Sequence, residues 1–386
     1  MKNLLTLIAA LTMALGACSD SSRVTEPDQT VDPARKPAST APPGAVYVQT
    51  NTAGANHVVV YGRAADGTLK RGGTFRTGGR GTGVPRLGSQ GSVILSEDNE
   101  WLLVANVGSS EISVFAVSGD GLALTDKVPS GGQMPFSLTL RGNLLYVLNA
   151  GGRVGGTDNI TAFTLSSDGQ LSPLPGSTRL LSAANTDPAQ VQFSPDGGTL
   201  VVTEKATDRI DTYAVGSDGL ASGPTVGEAN GDTPFGFAFT TTGYFVVTEA
   251  FDKAAGQAAA SSYRLSGATG IEVVSGTVRN GETDVCWTVI TQDDRYAFIT
   301  NFGSGTLSSY GIGSDGTLTL IEAVAARTSA AQGPRDQDLS EDGRYLYVID
   351  VGTHRVSGYE IEGDGGLAPV EEIGGLPPTI AGMAAR

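Results

Sequence analysis

A chain of 386 residues with 40 acidic against 25 basic side chains, net charge −15, repels phosphate backbones, so nucleic-acid binding is excluded as a function class. Length alone suggests two or three domains, but 54 glycines and 18 prolines make a single all-β repeat fold the competing reading. The two cysteines, Cys18 and Cys286, leave no internal disulfide once Cys18 is assigned below; Cys286, in "VCWTVI", reads as a small buried hydrophobe.

Residues 1–17 read as a targeting segment. Lys2 gives a positive start, and "LLTLIAALTMALGA" is a 14-residue apolar stretch, about 21 Å as a helix and too short for a hydrocarbon core of about 30 Å. Its end, Leu15-Gly16-Ala17-Cys18, resembles a bacterial lipoprotein box, which implies cleavage before Cys18 and a lipid on its thiol; an ordinary cleaved signal with a chance cysteine is the alternative. Residues 18–43 carry five prolines and almost no large apolar side chains, so they cannot bury a core and read as a disordered tether reaching at most about 80 Å. The expected localisation is extracytoplasmic, with the membrane as a partner through Cys18.

From residue 44 a phrase recurs seven times. Its first apolar run reads "AVYVQT", "WLLVAN", "NLLYVLN", "TLVVTE", "YFVVTE", "YAFITN" and "YLYVID". A second run follows, from "HVVVYG" to "RVSGYEI", and in six copies an Asp-Gly pair comes next: Asp66, Asp120, Asp168, Asp218, Asp315 and Asp364. Asp-Gly after an alternating run marks a tight hairpin, because positive φ is cheap there. A fourth element, usually opened by proline, precedes each first run ("PFSLTL", "PAQVQF", "PFGFAF", "PRDQDL"), and no 3.6-residue period occurs. At about 49 residues per phrase, this predicts an all-β, seven-bladed β-propeller of four-stranded antiparallel blades over 44–386. The chain enters at a second strand and ends in "PPTIAGMAA", so the last segment supplies the innermost strand of the first blade, a one-plus-three closure that removes a free edge. Two packed sandwiches are the alternative, without a reason for one turn grammar repeated seven times.

The short Asp-Gly turns belong to one face of such a ring. The other face gathers the longer loops 76–86, 149–159 and 249–260, where function resides. The second strands end there in Thr50, Asn106, Asn149, Glu204, Glu249, Asn301 and Asp350. The inner strands start there with Arg86, Gln133, Asp187, Asp232, Asp284, Arg335 and Asp336, with Gln190 just inside. Convergence of these groups makes a binding site; the bland reading is that Asn, Asp and Thr cap their own turns, which suits Glu204 and Glu249 least. His57 and His354 read as turn residues, with a shared metal or base role as the sharper alternative. G-x-S-x-G, H-E-x-x-H, C-x-x-C and Walker motifs are absent.

The stretches "AQVQFSPDGGTLVVTEKATDRIDTYAV" and "GRYLYVIDVGTHRVSGYEIEGDGGL" resemble the lactonase-family seven-bladed propellers of the 6-phosphogluconolactonase and carboxymuconate-cyclase type, over essentially 45–386. The resemblance implies a lactone-handling site on the long-loop face. The family's His-Pro-His reads Asp187-Pro188-Ala189 here, its Arg-His reads Pro234-Phe235, and its Asn-Arg-Gly reads Asn301-Phe302-Gly303. Its acidic strand end is kept as Glu249 and its Asp-Arg turn as Asp208-Arg209. Loss of the histidine removes a neutral-pH base and loss of the arginine an oxyanion partner. The leading expectation is therefore a monomeric, lipid-anchored module that binds a small molecule or a protein at the propeller mouth through Asn106, Asn149, Asp187, Gln190, Asp284, Asn301, Arg335, Asp350 and Arg86. The alternative is a lactone hydrolase using Glu249 with Glu204 as base or metal ligands, with Arg335 or Arg86 on an anionic substrate and a divalent cation, Ca²⁺ or Mg²⁺, activating water. An assembly scaffold is a third, weaker reading.

Overall fold

The recurring turn is a small polar device. Asp196 Oδ1 accepts the Ser194 hydroxyl at 2.6 Å and the Gly198 N–H at 3.0 Å, while Ser194 Oγ accepts the Thr199 N–H at 3.0 Å. Gly197 sits at φ 76°, a backbone that costs glycine nothing. Ser96–Asp98, Thr291–Asp293 and Ser340–Asp342 repeat the hydroxyl-to-carboxylate bond at 2.5, 2.6 and 2.6 Å, so the same turn starts the second strand of four blades. Asp66, Asp218, Asp315 and Asp364 accept an N–H two residues on, which fixes the hairpin between the third and fourth strands.

In the computed structural model, which describes residues 44–386 apart from Arg86 and Asp120, these turns join seven antiparallel sheets, the blades of a propeller. The expectations for the signal, the lipidated Cys18, the tether and Arg86 lie outside the described residues. Blade 4, for example, runs Pro188–Phe193, Thr199–Glu204, Arg209–Val215, Ala221–Glu228 from the channel outward. Blade 3 differs only at its outer edge, where Leu171–Pro173 and Arg179–Leu180 pair separately with Asp158–Leu165. Two short 3₁₀ turns, Gly151–Val154 and Phe251–Lys253, lie in the long loops of blades 3 and 5. Among the described residues no helix is long and apolar enough to cross a membrane.

The ring closes as the sequence predicts. Met383–Ala385 pairs with Gly44–Gln49 in the register Val48↔Met383, Tyr47↔Ala384, Val46↔Ala385, and Ala45 and Arg386 exchange backbone hydrogen bonds of 3.1 and 2.9 Å. Apolar cores lie between blades: Tyr146 and Leu148 of blade 3 pack on Val191, Leu200 and Val202 of blade 4, and Tyr345, Tyr347 and Ile349 of blade 7 pack on Val46, Val48 and Tyr61 of blade 1. Each face of a blade is thus buried against its neighbour, which explains why the second strands are continuous apolar runs rather than alternating ones.

The innermost strands are irregular. Their ladders slip between Pro188 and Gln190, Pro234 and Phe237, Val285 and Thr288, and Pro334 and Gln337. Glutamine side chains replace part of the missing pairing. Gln190 Nε2 donates to Phe237 O at 2.8 Å and Oε1 accepts the Phe237 N–H at 2.7 Å, bridging blades 4 and 5 as a peptide would.

Candidate functional site

The connection from blade 1 to blade 2 positions the site. Residues 87–92 do not skirt the rim; they turn into the channel and are held there by three other blades. The Gln90 side chain donates to Thr288 O at 2.7 Å and accepts the Thr288 N–H at 3.1 Å, and its own N–H donates to Ala189 O at 3.2 Å. Gly91 O accepts the Leu138 N–H at 2.8 Å. Gly88 and Gly91 have φ of 75° and 76°, so "LGSQGS" can make this reversal where other residues would be strained. The segment divides the channel: Leu87 and Gly88 line an upper cavity of about 620 Å³, and Gln90 and Gly91 line a lower one of about 400 Å³.

Carbonyls of this plug face upward and collect cations. Lys205 Nζ donates to Gly88 O at 2.8 Å and Pro188 O at 2.9 Å, Arg153 donates to Leu87 O at 3.3 Å, and the Trp287 indole N–H donates to Ser89 O at 2.9 Å. Lys253 and Arg335 complete four basic side chains around the upper cavity, facing Asp187, Asp252 and Asp284. Asp187 pairs with Arg153 and lies 3.7 Å from Lys205; Lys253 lies 4.0 Å from Asp284. Aromatic rings back the cations: Lys205 lies 4.9 Å over Phe235, and Arg335 lies 4.1 Å over Phe302 and 5.6 Å over Trp287. A region this rich in cations, within a chain of net charge −15, suits a small anion with hydroxyl groups for the three aspartates.

Burial pushes the Lys205 amine down to about 7, against the pull of Asp187 in the other direction. Cys286 shares the wall; burial pushes its thiol well up, with Asp284 adding to the rise, so it is a thiol and not a thiolate at neutral pH.

Of the residues expected from sequence, Asp187, Asp284 and Arg335 converge on the upper cavity. Gln190 lines the lower one as the bridge described above. Asn106, Asn149, Glu204, Glu249, Asn301 and Asp350 are fully buried and none lines the upper cavity. Their side chains turn back into the blades. Asn106 donates to Ser113 at 2.7 Å, Asn149 accepts from Ser130 at 2.7 Å, and Asn301 donates to Ser308 at 2.8 Å. Glu249 accepts from Ser261, and Asp350 accepts the Thr353 N–H at 2.8 Å. Burial raises the Glu249 carboxyl, partly offset by its hydrogen bond from Ser261. Blades 4, 5 and 6 place the following residue at the mouth instead: Lys205 after Glu204, Ala250 after Glu249, Phe302 after Asn301. Arg153, Lys205 and Lys253 were not singled out by sequence, although Arg153 and Lys253 lie in long loops that mark the functional face. Among the described residues no three His, Cys, Asp or Glu side chains gather as a metal cluster, and His57 and His354 are only half-buried at their turns.

In the lower cavity Asp336 and Asp338 project from the inner strand of blade 7. They accept the Met383 and Ala385 N–H groups at 3.2 and 2.8 Å, the open edge of the closing strand. Burial pushes Asp338 up to about 6 and Asp336 well above the usual carboxylate range.

The profile of the lactonase, seven-bladed β-propeller family matches residues 46–180 and 250–381. The stretch between, 181–249, holds blade 4 with Asp187, Lys205 and the altered His-Pro-His and Arg-His positions. None of the curated proteins compared with the chain matches it. Among solved structures, an assigned 6-phosphogluconolactonase from Bacteroides uniformis shares 17% identity and a TM-score of 0.66 over 88% of this chain and 98% of its own. The periplasmic gluconolactonase of Pseudomonas aeruginosa shares 16% and 0.65 over 87% and 98%. A Lactobacillus plantarum protein shares 17% and 0.68 over 89% and 98%. At these identities the likeness is one of fold.

Proposed function

Since the chain belongs to the family of seven-bladed β-propeller lactonases, we propose that its upper cavity binds a small anionic sugar acid or the lactone of one, in a protein tethered outside the cytoplasm through Cys18. The observation that carries this reading is the convergence of Arg153, Lys205, Lys253 and Arg335 on one cavity of about 620 Å³. A carboxylate or phosphate would meet the guanidinium groups, for which Arg335 is already fixed between Phe302 and Trp287. Hydroxyl groups would meet Asp187, Asp252 and Asp284, and an apolar ring face would lie on Phe235. The names of the Bacteroides and Pseudomonas neighbours suggest gluconate and 6-phosphogluconate as probes. Titration calorimetry with the two should give binding that weakens about tenfold or more in Arg335→Gln, the loss of a charge-assisted contact. Absence of binding of both at millimolar concentration overturns the reading.

A second reading, ring opening, is favoured by Lys205. An amine with a pKa of about 7 is half-neutral at physiological pH and can take a proton from water as that water attacks the lactone carbonyl. Arg335 would steady the oxyanion, the ring C–O bond would break, and the alkoxide would recover the proton from Lys205. The base in this scheme is Lys205 rather than Glu249, which lies behind Gly231 and away from the cavity. A pH-stat assay with glucono-δ-lactone separates turnover from binding alone: base uptake above the spontaneous rate, lost in Lys205→Met, is required.

A further inference from the structure

In five blades the third strand carries a hydroxyl two residues beyond the position paired with the second-strand end. Ser113, Thr161, Ser261, Ser308 and Ser357 lie opposite Val104, Val147, Val247, Ile299 and Val348. In blade 5 the arrangement is simplest: the Ser261 hydroxyl donates to Glu249. Blade 4 has the same glutamate, Glu204, but the position opposite Val202 is Asp211. A carboxyl group stands where five other blades place a hydroxyl.

Both carboxyls are fully buried. Glu204 is satisfied: it accepts the Ser182 N–H at 3.0 Å and the hydroxyls of Ser182 and Thr207 at 2.5 Å each. Neither oxygen of Asp211 has a hydrogen-bond partner, and the Ser182 N–H that comes near it is taken by Glu204. Two carboxylates buried beside each other cannot both stay charged. The other titratable groups around them do not offset this: the pull of Arg209 on Asp211 is smaller than the effects of burial and of Glu204. Arg209, on the same strand, extends outward to Glu228 at 3.3 Å, the Tyr213 hydroxyl donates to Leu180 O at 3.0 Å, and Lys205 is committed to the plug. Asp158 of blade 3 is occupied by Thr186.

We propose that Glu204 and Asp211 hold one proton between them, and that this shared proton positions the floor of the upper cavity. The route is short. Glu204 anchors Ser182, the start of the segment leading to Asp187, and it precedes Lys205 directly. The Lys205 and Ala206 N–H groups bond Asp187 O and Thr186 O at 3.3 and 3.0 Å. Loss of the proton sets two charges against each other at the base of this segment and displaces Asp187 and Lys205 together. Burial and the neighbouring Glu204 push the Asp211 carboxyl up to about 8, so the change falls just above neutral pH. The second half of the proposal rests on the upper cavity being a ligand site; the first half does not.

The substitution that tests it is Asp211→Ser, which installs the serine found in blades 2, 5, 6 and 7. Isotope-edited infrared spectroscopy of the whole protein, with ¹³C-labelled aspartate and glutamate, should show a protonated-carboxyl band at pH 7 in the difference between wild type and Asp211→Ser, and this difference should disappear at pH 9.5. Taking the difference removes Asp336 and Glu249, whose carboxyls burial raises in both proteins. Thermal unfolding adds a second measure. An unfolded aspartate releases its proton near pH 4 and the folded pair near 8, so the stability due to the pair declines as pH rises between these values. From pH 6 to 8 the melting temperature of the wild type should fall by about 4 °C relative to Asp211→Ser. Gluconate affinity, measured in both proteins, should be equal at pH 6.5 and several-fold weaker in the wild type at pH 9; because Lys205 titrates in both, the ratio isolates the pair. A missing carboxyl band and parallel stability profiles overturn the shared proton. A band with equal affinities at pH 9 overturns the coupling to the cavity. Failure of either protein to bind gluconate at any pH removes the ligand-site reading and leaves the proton assignment standing on the spectrum.

Discussion

Lys205 offers the sharpest functional prediction, because its charge changes in the physiological range. In the unfolded chain its amine titrates near 10.5, in the folded protein near 7, so between these values the folded state carries the neutral amine. An anion in the upper cavity favours the ammonium form. Binding is therefore strongest below pH 7 and weakens by up to tenfold per pH unit above it, until the contribution of the charge is spent. A charge-assisted hydrogen bond contributes about 1.5–3 kcal/mol, which sets the total loss at roughly 10- to 150-fold. Two variants bracket the wild type. Lys205→Met should bind weakly with no inflection near pH 7, and Lys205→Arg, which cannot lose its charge, should also lack the inflection. Calorimetry with gluconate between pH 5.5 and 7.5 suits the purpose, since the ligand carboxylate does not titrate there and the Glu204–Asp211 pair is still protonated. If Lys205→Met reproduces the wild-type curve, the amine does not meet the ligand and the cavity floor has been misassigned.

Three further outcomes are expected. Ending the chain at Gly382 removes the closing strand with its backbone pairing to Val46–Val48 and the burial of Met383; at about 1 kcal/mol per hydrogen bond and about 2 for the side chain, stability should fall by about 5 kcal/mol in urea titration, and an unchanged midpoint would contradict the closure. Gln90→Ala leaves the N–H and C=O of Thr288 without their partner and should cost about 2–4 kcal/mol by the same assay, with less than about 1 refuting the plug as a built element. Cys18→Ala should abolish incorporation of labelled palmitate and release the protein from the membrane fraction; retention in the membrane fraction despite loss of label would point to another anchor.

The seven blades were legible because the apolar second strand recurs in every one and the Asp-Gly hairpin in six, and that repetition is written in local residue choice. The closure was legible for the same reason, since an unpaired second strand at residue 44 requires an inner strand from elsewhere. The site was harder to read, and the reason is the two-residue period of a strand. Glu204, Glu249 and Asn301 are the last polar residues of their strands, but their side chains point along the blade to the third strand. The residue after each one reaches the mouth, so Lys205 was hidden by the more conspicuous Glu204 beside it. Asp187, Asp284 and Arg335 were found because they start strands that face the channel directly. The plug had no signal at all: "RLGSQGS" reads as an ordinary glycine loop, and its burial depends on Thr288, Ala189 and Trp287 in blades that sequence cannot place opposite it.

The ring is fastened across nearly the whole of the described chain. Val46 and Val48 emerge from the ribosome long before their partners, Ala385 and Met383. Domains generally fold from the N-terminal side as the chain appears, at about 5–20 residues per second. Here the other inter-blade cores can assemble in that order, but the first strand keeps an open apolar edge until Met383–Ala385 has been made. A chain cut short before Met383 would thus keep nearly all its blades and carry a sticky seam. Completion of the fold waits on one three-residue strand.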